Sequence, residues 1–163
     1  MTLRHDPANS KDVEPFLVLV VDDEVTMRRS IADILRLEGY RVQMAGNGEE
    51  AIQCLKNESY DLILLDLKMP GISGVDVLRF ASEISPETQI ILLTAHGSME
   101  SAIEALRHGA QDYLLKPSSP ETILASVAKA LKARADYLQR QRLLSQLEAS
   151  VQALKGNKET NPQ

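Results

Sequence analysis

Aromatic residues are scarce, at 4% of 163 residues, while hydrophobic residues reach 44%, so a core can form but it must be aliphatic. Cysteine is limited to Cys54, which excludes an internal disulfide. With no signal-peptide pattern, a reducing cytosol is the expected compartment. Long hydrophobic runs are missing too. The longest, FLVLVV and LILL, fall far short of a bilayer span, so no membrane partner is expected. There is no basic excess: the net charge is -5, which argues against a generic nucleic-acid binder. The three histidines, His5, His96 and His108, lack paired spacing, so with one cysteine the chain has no ligand set for a soft metal.

What the chain does have is a regular alternation of short apolar runs and helical patterns. FLVLVV (16–21) is continuous and apolar, as in a strand buried on both faces. Residues 24–39 place Met27, Ile31, Ile34 and Leu35 at helical spacing and close on Gly39. YRVQMA (40–45) alternates like a strand nearer a sheet edge, and 47–58 reads as a helix with Asn47 at its start. Strands are predicted at 60–66, 89–94 and 112–116, and helices at 74–84, at 98–108 and from Pro120 onward. Five strand–helix units imply one parallel sheet with helices on both faces, and the connections are too short for two domains. Residues 1–14 are polar and aperiodic, and read as a loose arm.

Doubly wound sheets carry their functional groups beyond the carboxyl ends of the strands. Here the first strand ends in Asp22-Asp23-Glu24, the third in Asp66, the fourth in Thr94-Ala95 and the fifth in Lys116-Pro117. A parallel sheet would bring these groups to one edge. Taken singly, each has a structural explanation. Asp66 caps a turn or the next helix, Asp22-Asp23 begins a helix, Thr94 caps a turn, and Lys116 is a solvated loop lysine. Together they form an oxygen-rich cluster with one ammonium. Clustered acids raise each other's pKa, and a cation relieves the repulsion. Such a cluster suits Mg²⁺ (or Mn²⁺), held by Asp23 and Asp66. Asp66 is then a nucleophile for a phosphoryl group, with Lys116 supplying a second positive charge.

VVDDE, LLDLKMPGISG, LLTAHG and DYLLKP together resemble the receiver domain of bacterial two-component response regulators, from about residue 16 to about residue 131. The resemblance implies a flavodoxin-like (βα)5 fold, a doubly wound parallel sheet of strand order 2-1-3-4-5 with an extended C-terminal helix. It implies Asp66 as phosphoacceptor, Asp23 as a direct metal ligand, Asp22 acting through water, and the main-chain carbonyl of Lys68 as the third protein ligand. Thr94 is similar to the switch hydroxyl that moves onto the phosphoryl group, and Ala95 leaves room for it. Tyr113 resembles the aromatic that turns inward behind it. Lys116 resembles the family's lysine, and Lys116-Pro117 the family's cis peptide. Lys68 and His96 occupy positions that tune acyl-phosphate lifetime. The implied partner is a sensor histidine kinase. The implied response is a change in the surface of the fourth helix, fifth strand and fifth helix that controls homodimerisation. The chain is therefore expected to be a phosphoacceptor switch and not a turnover enzyme.

TAHGSMESAIEALRHGAQDYLLKP is especially similar to receivers that precede an AAA+ ATPase in enhancer-binding transcription activators. No GxxxxGK[ST] phosphate loop occurs, so either a C-terminal output domain lies outside this sequence or the regulator works without one. Two alternatives stand beside this reading. One is a phosphatase with an aspartyl-phosphate intermediate, which usually carries a second Asp two positions on, where this chain has Lys68. The other is a degenerate receiver serving as an interaction scaffold.

The expected organisation is an arm (1–14), a receiver domain (15–134), a helical or coiled-coil linker (135–155) and a disordered tail (156–163). Ala130, Ala133, Tyr137, Arg140, Leu144, Leu147, Val151 and Leu154 form an a/d series broken by Arg140. Six basic against three acidic residues over 121–155 give little support for direct nucleic-acid contact by this fragment.

Overall fold

The computed structural model describes residues 14–95 and 97–159. The strands are β1 (Leu17–Val21), β2 (Arg41–Ala45), β3 (Leu62–Leu65), β4 (Gln89–Thr94) and β5 (Asp112–Leu115). The helices are α1 (Val25–Leu37), α2 (Gly48–Asn57), α3 (Gly74–Ile84), α4 (Met99–Arg107) and α5 (Pro120–Glu159). All strand pairs are parallel and the order is β2-β1-β3-β4-β5, as the sequence reading expects.

The central strands are apolar throughout because both of their faces are covered. Leu19, Val21, Ile63, Leu65 and Leu92 point to the layer that includes Ala51, Leu55, Val77 and Leu78 of α2 and α3. Val18, Val20, Leu62, Leu64 and Ile91 point to the layer of Ile31 and Leu35 of α1 and Ile123, Val127 and Leu131 of α5. Each of these fully buried aliphatic side chains contributes about 2 kcal/mol of transfer free energy. β2 is an edge strand and is exposed except at Val42 and Ala45, which explains its alternating sequence.

Four helix starts, those of α2, α3, α4 and α5, are fixed by local hydrogen bonds, the last by Ser119 Oγ accepting from the Thr122 N–H at 3.1 Å. Asn47 caps α2 by accepting from the Glu50 N–H at 2.8 Å. Ser73 and Asp76 form a reciprocal capping box on α3, and Ser98 and Ser101 do the same on α4. Neither Asp66 nor Thr94 is the cap of the helix that follows it.

The C-terminal segment differs from expectation in two respects. The helix does not stop at Gly156 but runs to Glu159, so the predicted disordered tail is helical over 156–159. A single glycine costs a helix only about 1 kcal/mol. Residues 160–163 of that tail and 1–13 of the predicted arm lie outside the described residues. Ala130 does not belong to an exposed a/d stripe, because it is 5% exposed and packs in the domain core. The stripe becomes solvent-facing from Ala133 onward.

Candidate phosphoryl and metal site

The reversal of strand order lies between β1 and β3. Their register pairs Val21 with Leu65, so the next residues, Asp22 and Asp66, emerge side by side. The Asp66 N–H donates to the Val21 carbonyl at 3.0 Å, which holds that register beyond the last ladder pair. On the other side of β4, Thr94 pairs with Leu115, and the Lys116 N–H donates to the Thr94 carbonyl at 2.9 Å. Lys116 thus begins its reach toward β1 from a fixed point. The peptide joining it to Pro117 is cis.

The side chains converge. Lys116 Nζ lies 2.5 Å from Asp22 Oδ2 and 3.6 Å from Asp66 Oδ2. All three side chains are at least nine-tenths buried. Asp23 is exposed at the rim, and one carboxylate oxygen each of Asp22, Asp23 and Asp66 lie within 4.8 Å of one another. Asp22 is fully engaged by the protein, since its Oδ1 accepts the Glu24 N–H at 3.0 Å and its Oδ2 takes the Lys116 ammonium. Asp66 is not: its Oδ1 is buried and has no hydrogen-bond partner among the described residues.

Burial pushes the Asp66 carboxyl above the ordinary carboxylate range. The Lys116 ammonium opposes that shift, the Asp22 charge adds to it, and the Thr94 hydroxyl and Lys68 backbone N–H oppose it. For Lys116, burial favours the neutral amine. The Asp22 hydrogen bond and the charges of Asp22 and Asp66 outweigh it, so the ammonium is held above its usual value. The pocket therefore retains its cation at neutral pH and leaves one carboxylate oxygen undersatisfied.

That orphaned oxygen, beside an exposed carboxylate and an engaged one, fits a hard divalent cation. Asp66 Oδ1 and Asp23 offer free lone pairs, and Asp22 is tied to Lys116. Lys68 stands two residues beyond Asp66 with an exposed side chain, and its backbone N–H favours the ionised Asp66. Thr94 is fully buried and Ala95 is exposed. Tyr113 is half-buried, with its hydroxyl 3.0 Å from the Ser101 hydroxyl on α4. His96 lies outside the described residues. Lys68, Ala95, Gly97, Ser98, Leu67 and Val75 line a cleft of about 510 Å³ next to the acids.

Gly74 is a positioning residue that the sequence pattern did not reveal. A Cβ there would sit 2.2 Å from the Asp66 carbonyl oxygen and 2.6 Å from Leu67 Cα, so only glycine lets α3 start against the backbone that carries Asp66. Its signal was a glycine directly after a helix-capping serine.

A family model for the response regulator receiver domain matches residues 18–128. The chain belongs to this family. The receiver is 38% identical over 113 residues to the regulatory protein LuxO of Vibrio vulnificus, covering 69% of this chain and 25% of that protein. It is 44% identical over 118 residues to the transcriptional regulatory protein ResD of Bacillus subtilis, covering 72% of this chain and 48% of that protein. It therefore spans less than half the length of either relative. Among solved structures, a CheY-like receiver domain protein from Methanospirillum hungatei superposes with a TM-score of 0.74 at 30% identity, covering 76% of this chain and 98% of that one. The signal receiver domain of a LuxO repressor protein from Vibrio parahaemolyticus gives a TM-score of 0.71 at 34% identity, with coverage of 74% and 93%.

Proposed function

We propose that this receiver is a phosphorylation-controlled switch in which Asp66 accepts a phosphoryl group from the phosphohistidine of a sensor histidine kinase. The observation that carries this reading is the buried Asp66 carboxylate, its Oδ2 3.6 Å from the Lys116 ammonium and its Oδ1 without a hydrogen-bond partner among the described residues. In the transfer, a carboxylate oxygen of Asp66 attacks phosphorus. The new P–O bond forms as the P–N bond to the donor imidazole breaks, and the bonding pair leaves on the imidazole nitrogen. The product is an acyl phosphate on Asp66. Lys116 faces the negative oxygens from the β5 side and stabilises their charge. Asp23, Asp66 and the Lys68 carbonyl would hold a divalent cation, with Asp22 acting through water. When bound, Mg²⁺ or Mn²⁺ supplies further neutralisation of the phosphoryl oxygens.

The phosphoryl group adds about 1.5 to 2 negative charges and three acceptor oxygens. Thr94 is the hydroxyl that turns toward it, and Ala95 leaves the approach open. Tyr113 then exchanges its Ser101 contact for the space behind Thr94, which alters the face formed by α4, β5 and α5. That face already exposes Met99, Leu106 and Leu115. Homodimerisation through it controls downstream output, most naturally transcription. Residues 15–134 form the switch. Residues 135–155 act as a helical linker whose exposed Tyr137, Leu144, Leu147, Val151 and Leu154 assist pairing. None of the described helices is long and apolar enough to cross a membrane. Membership of the receiver family supports a cytoplasmic site of action.

The deciding experiment is phosphotransfer from a histidine kinase, or from acetyl phosphate, with Mg²⁺, followed by mass analysis of the modified residue. One phosphoryl group on Asp66, absent in Asp66→Asn, is the expected result. Label retained by Asp66→Asn overturns the assignment. Sustained turnover of p-nitrophenyl phosphate would make the protein a phosphatase. Sedimentation of phosphorylated chains truncated after Arg134 tests the linker: the dimer fraction should fall, and an unchanged profile removes the linker role.

A further inference from the structure

Asp23 contributes a carboxylate at the rim of the pocket, yet its side chain has no hydrogen bond or ion pair among the described residues. Its position depends on the backbone that carries it. The preceding peptide is planar, so the orientation of the Asp22 carbonyl fixes where the Asp23 Cα lies. That carbonyl accepts a hydrogen bond from Arg28 Nη1 at 2.7 Å, reaching back from the first turns of α1. On its other side, the Asp22 N–H donates to the Ala45 carbonyl at 3.2 Å, at the end of β2.

The guanidinium occupies space made available by Gly46. A Cβ at Gly46 would lie 3.1 Å from Arg28 Nη1 and 3.4 Å from its Cζ. The Gly46 N–H is meanwhile held by Glu50 Oε2 at 2.7 Å, so the turn after β2 cannot easily give way. Arg28, Gly46 and Glu50 together form a clasp around the peptide that joins the two acids.

We infer that Arg28 is a positioning residue for the divalent-cation site, holding the Asp22–Asp23 peptide in place through its hydrogen bond to the Asp22 carbonyl, with Gly46 providing the room. This rests on the cation site described above. The clasp makes a prediction opposite in sign to simple electrostatics. A nearby positive charge disfavours a cation in an acidic pocket, so removing Arg28 as a charge alone would tighten Mg²⁺ binding. Removing it as a positioning group loosens binding, and outer-shell partners of metal ligands change affinity by roughly 10- to 100-fold.

Isothermal titration of the full chain with MgCl₂ distinguishes these cases. Arg28→Ala should weaken Mg²⁺ binding by about tenfold. Arg28→Lys, which keeps the charge and one donor, should recover most of the loss. Gly46→Ala keeps the arginine and its charge but makes the guanidinium give by a few tenths of an ångström, and should weaken binding in the same direction by less than Arg28→Ala. Circular dichroism checks that each variant folds, and if Arg28→Ala does not, Arg28→Met, which keeps an apolar stem without the donor, decides. Unchanged or tighter binding in folded variants overturns the positioning role. Absence of Mg²⁺ uptake by the wild-type chain overturns the cation site, and this inference with it.

Discussion

The sheet has a cation–carboxylate pair at each end; Asp61 at the amino end is half-buried, Asp22 and Asp66 at the carboxyl end are buried, and the ends differ further in how their oxygens are satisfied. At the amino end, Arg134 Nε donates to Asp61 Oδ1 at 2.7 Å and its Nη1 to the Glu87 carbonyl at 2.6 Å. Asp61 Oδ2 takes the Leu17 N–H at 2.8 Å. Both Asp61 oxygens have a protein partner, and the group joins α5, β1 and the segments before β3 and β4. At the carboxyl end, Lys116 joins Asp22 and Asp66, but Asp66 Oδ1 has no hydrogen-bond partner among the described residues. A satisfied buried network rigidifies, whereas an undersatisfied one is a standing cost that persists where something else is to be bound. The amino end is thus a structural lock and the carboxyl end a receptive site.

The largest expected effect separates the two ends by stability. Arg134→Ala removes the charge-assisted bond to the half-buried Asp61 and the bond to the Glu87 carbonyl, and should cost about 3 kcal/mol in urea unfolding. Mg²⁺-dependent labelling of Asp66 should persist below the new transition. Loss of labelling in a folded Arg134→Ala protein would show that the ends are coupled.

A ligand effect comes next. Mg²⁺ at a hundred times its dissociation constant should stabilise the wild-type fold by about 2.7 kcal/mol. Arg134→Ala should keep that increment, and Asp23→Asn should lose most of it. Thermal melts with and without MgCl₂ measure both, and an increment retained by Asp23→Asn would remove that residue from the site.

The smallest effect is on pH dependence. The folded-state pKa of Asp66 lies above its reference value of 3.8. Below the unfolded value both states hold the proton, and the carboxyl costs nothing. As pH rises through the folded value, the native protein must ionise a buried group and loses stability relative to the unfolded chain. Asp66→Asn cannot ionise, so without Mg²⁺ it should be more stable than wild type at neutral pH. The gap should close as pH falls toward 3.8. A gap independent of pH would mean that burial does not strain this carboxylate. Lys116 acts in the alkaline range. Its folded pKa is raised above 10.5, so its contribution is present below that value and lost as pH climbs through the folded one.

Much of the carboxyl-end site was legible in the chain because strands buried on both faces leave few places for polar groups. In LVLVV and LILL, any acid that follows must sit at the tip, so Asp22 and Asp66 announced themselves by breaking an apolar run. The amino-end lock was not legible. Asp61 precedes its strand in an ordinary polar turn, and Arg134 is one of several basic residues along α5. Their pairing joins positions 73 residues apart. Arg28 was hidden in the same way, since on a helical wheel it reads as a solvated face. Gly74 looked like an ordinary helix start.

Local sequence alone determined the strand–helix alternation, the aliphatic core and the polar groups at the strand tips, because periodicity and burial are encoded within a few residues. Only the tertiary structure decided which acid remains unpartnered, which arginine locks the base and which grips the acidic turn. Those outcomes depend on donors arriving from distant segments at distances near 3 Å, and no local pattern records such a meeting.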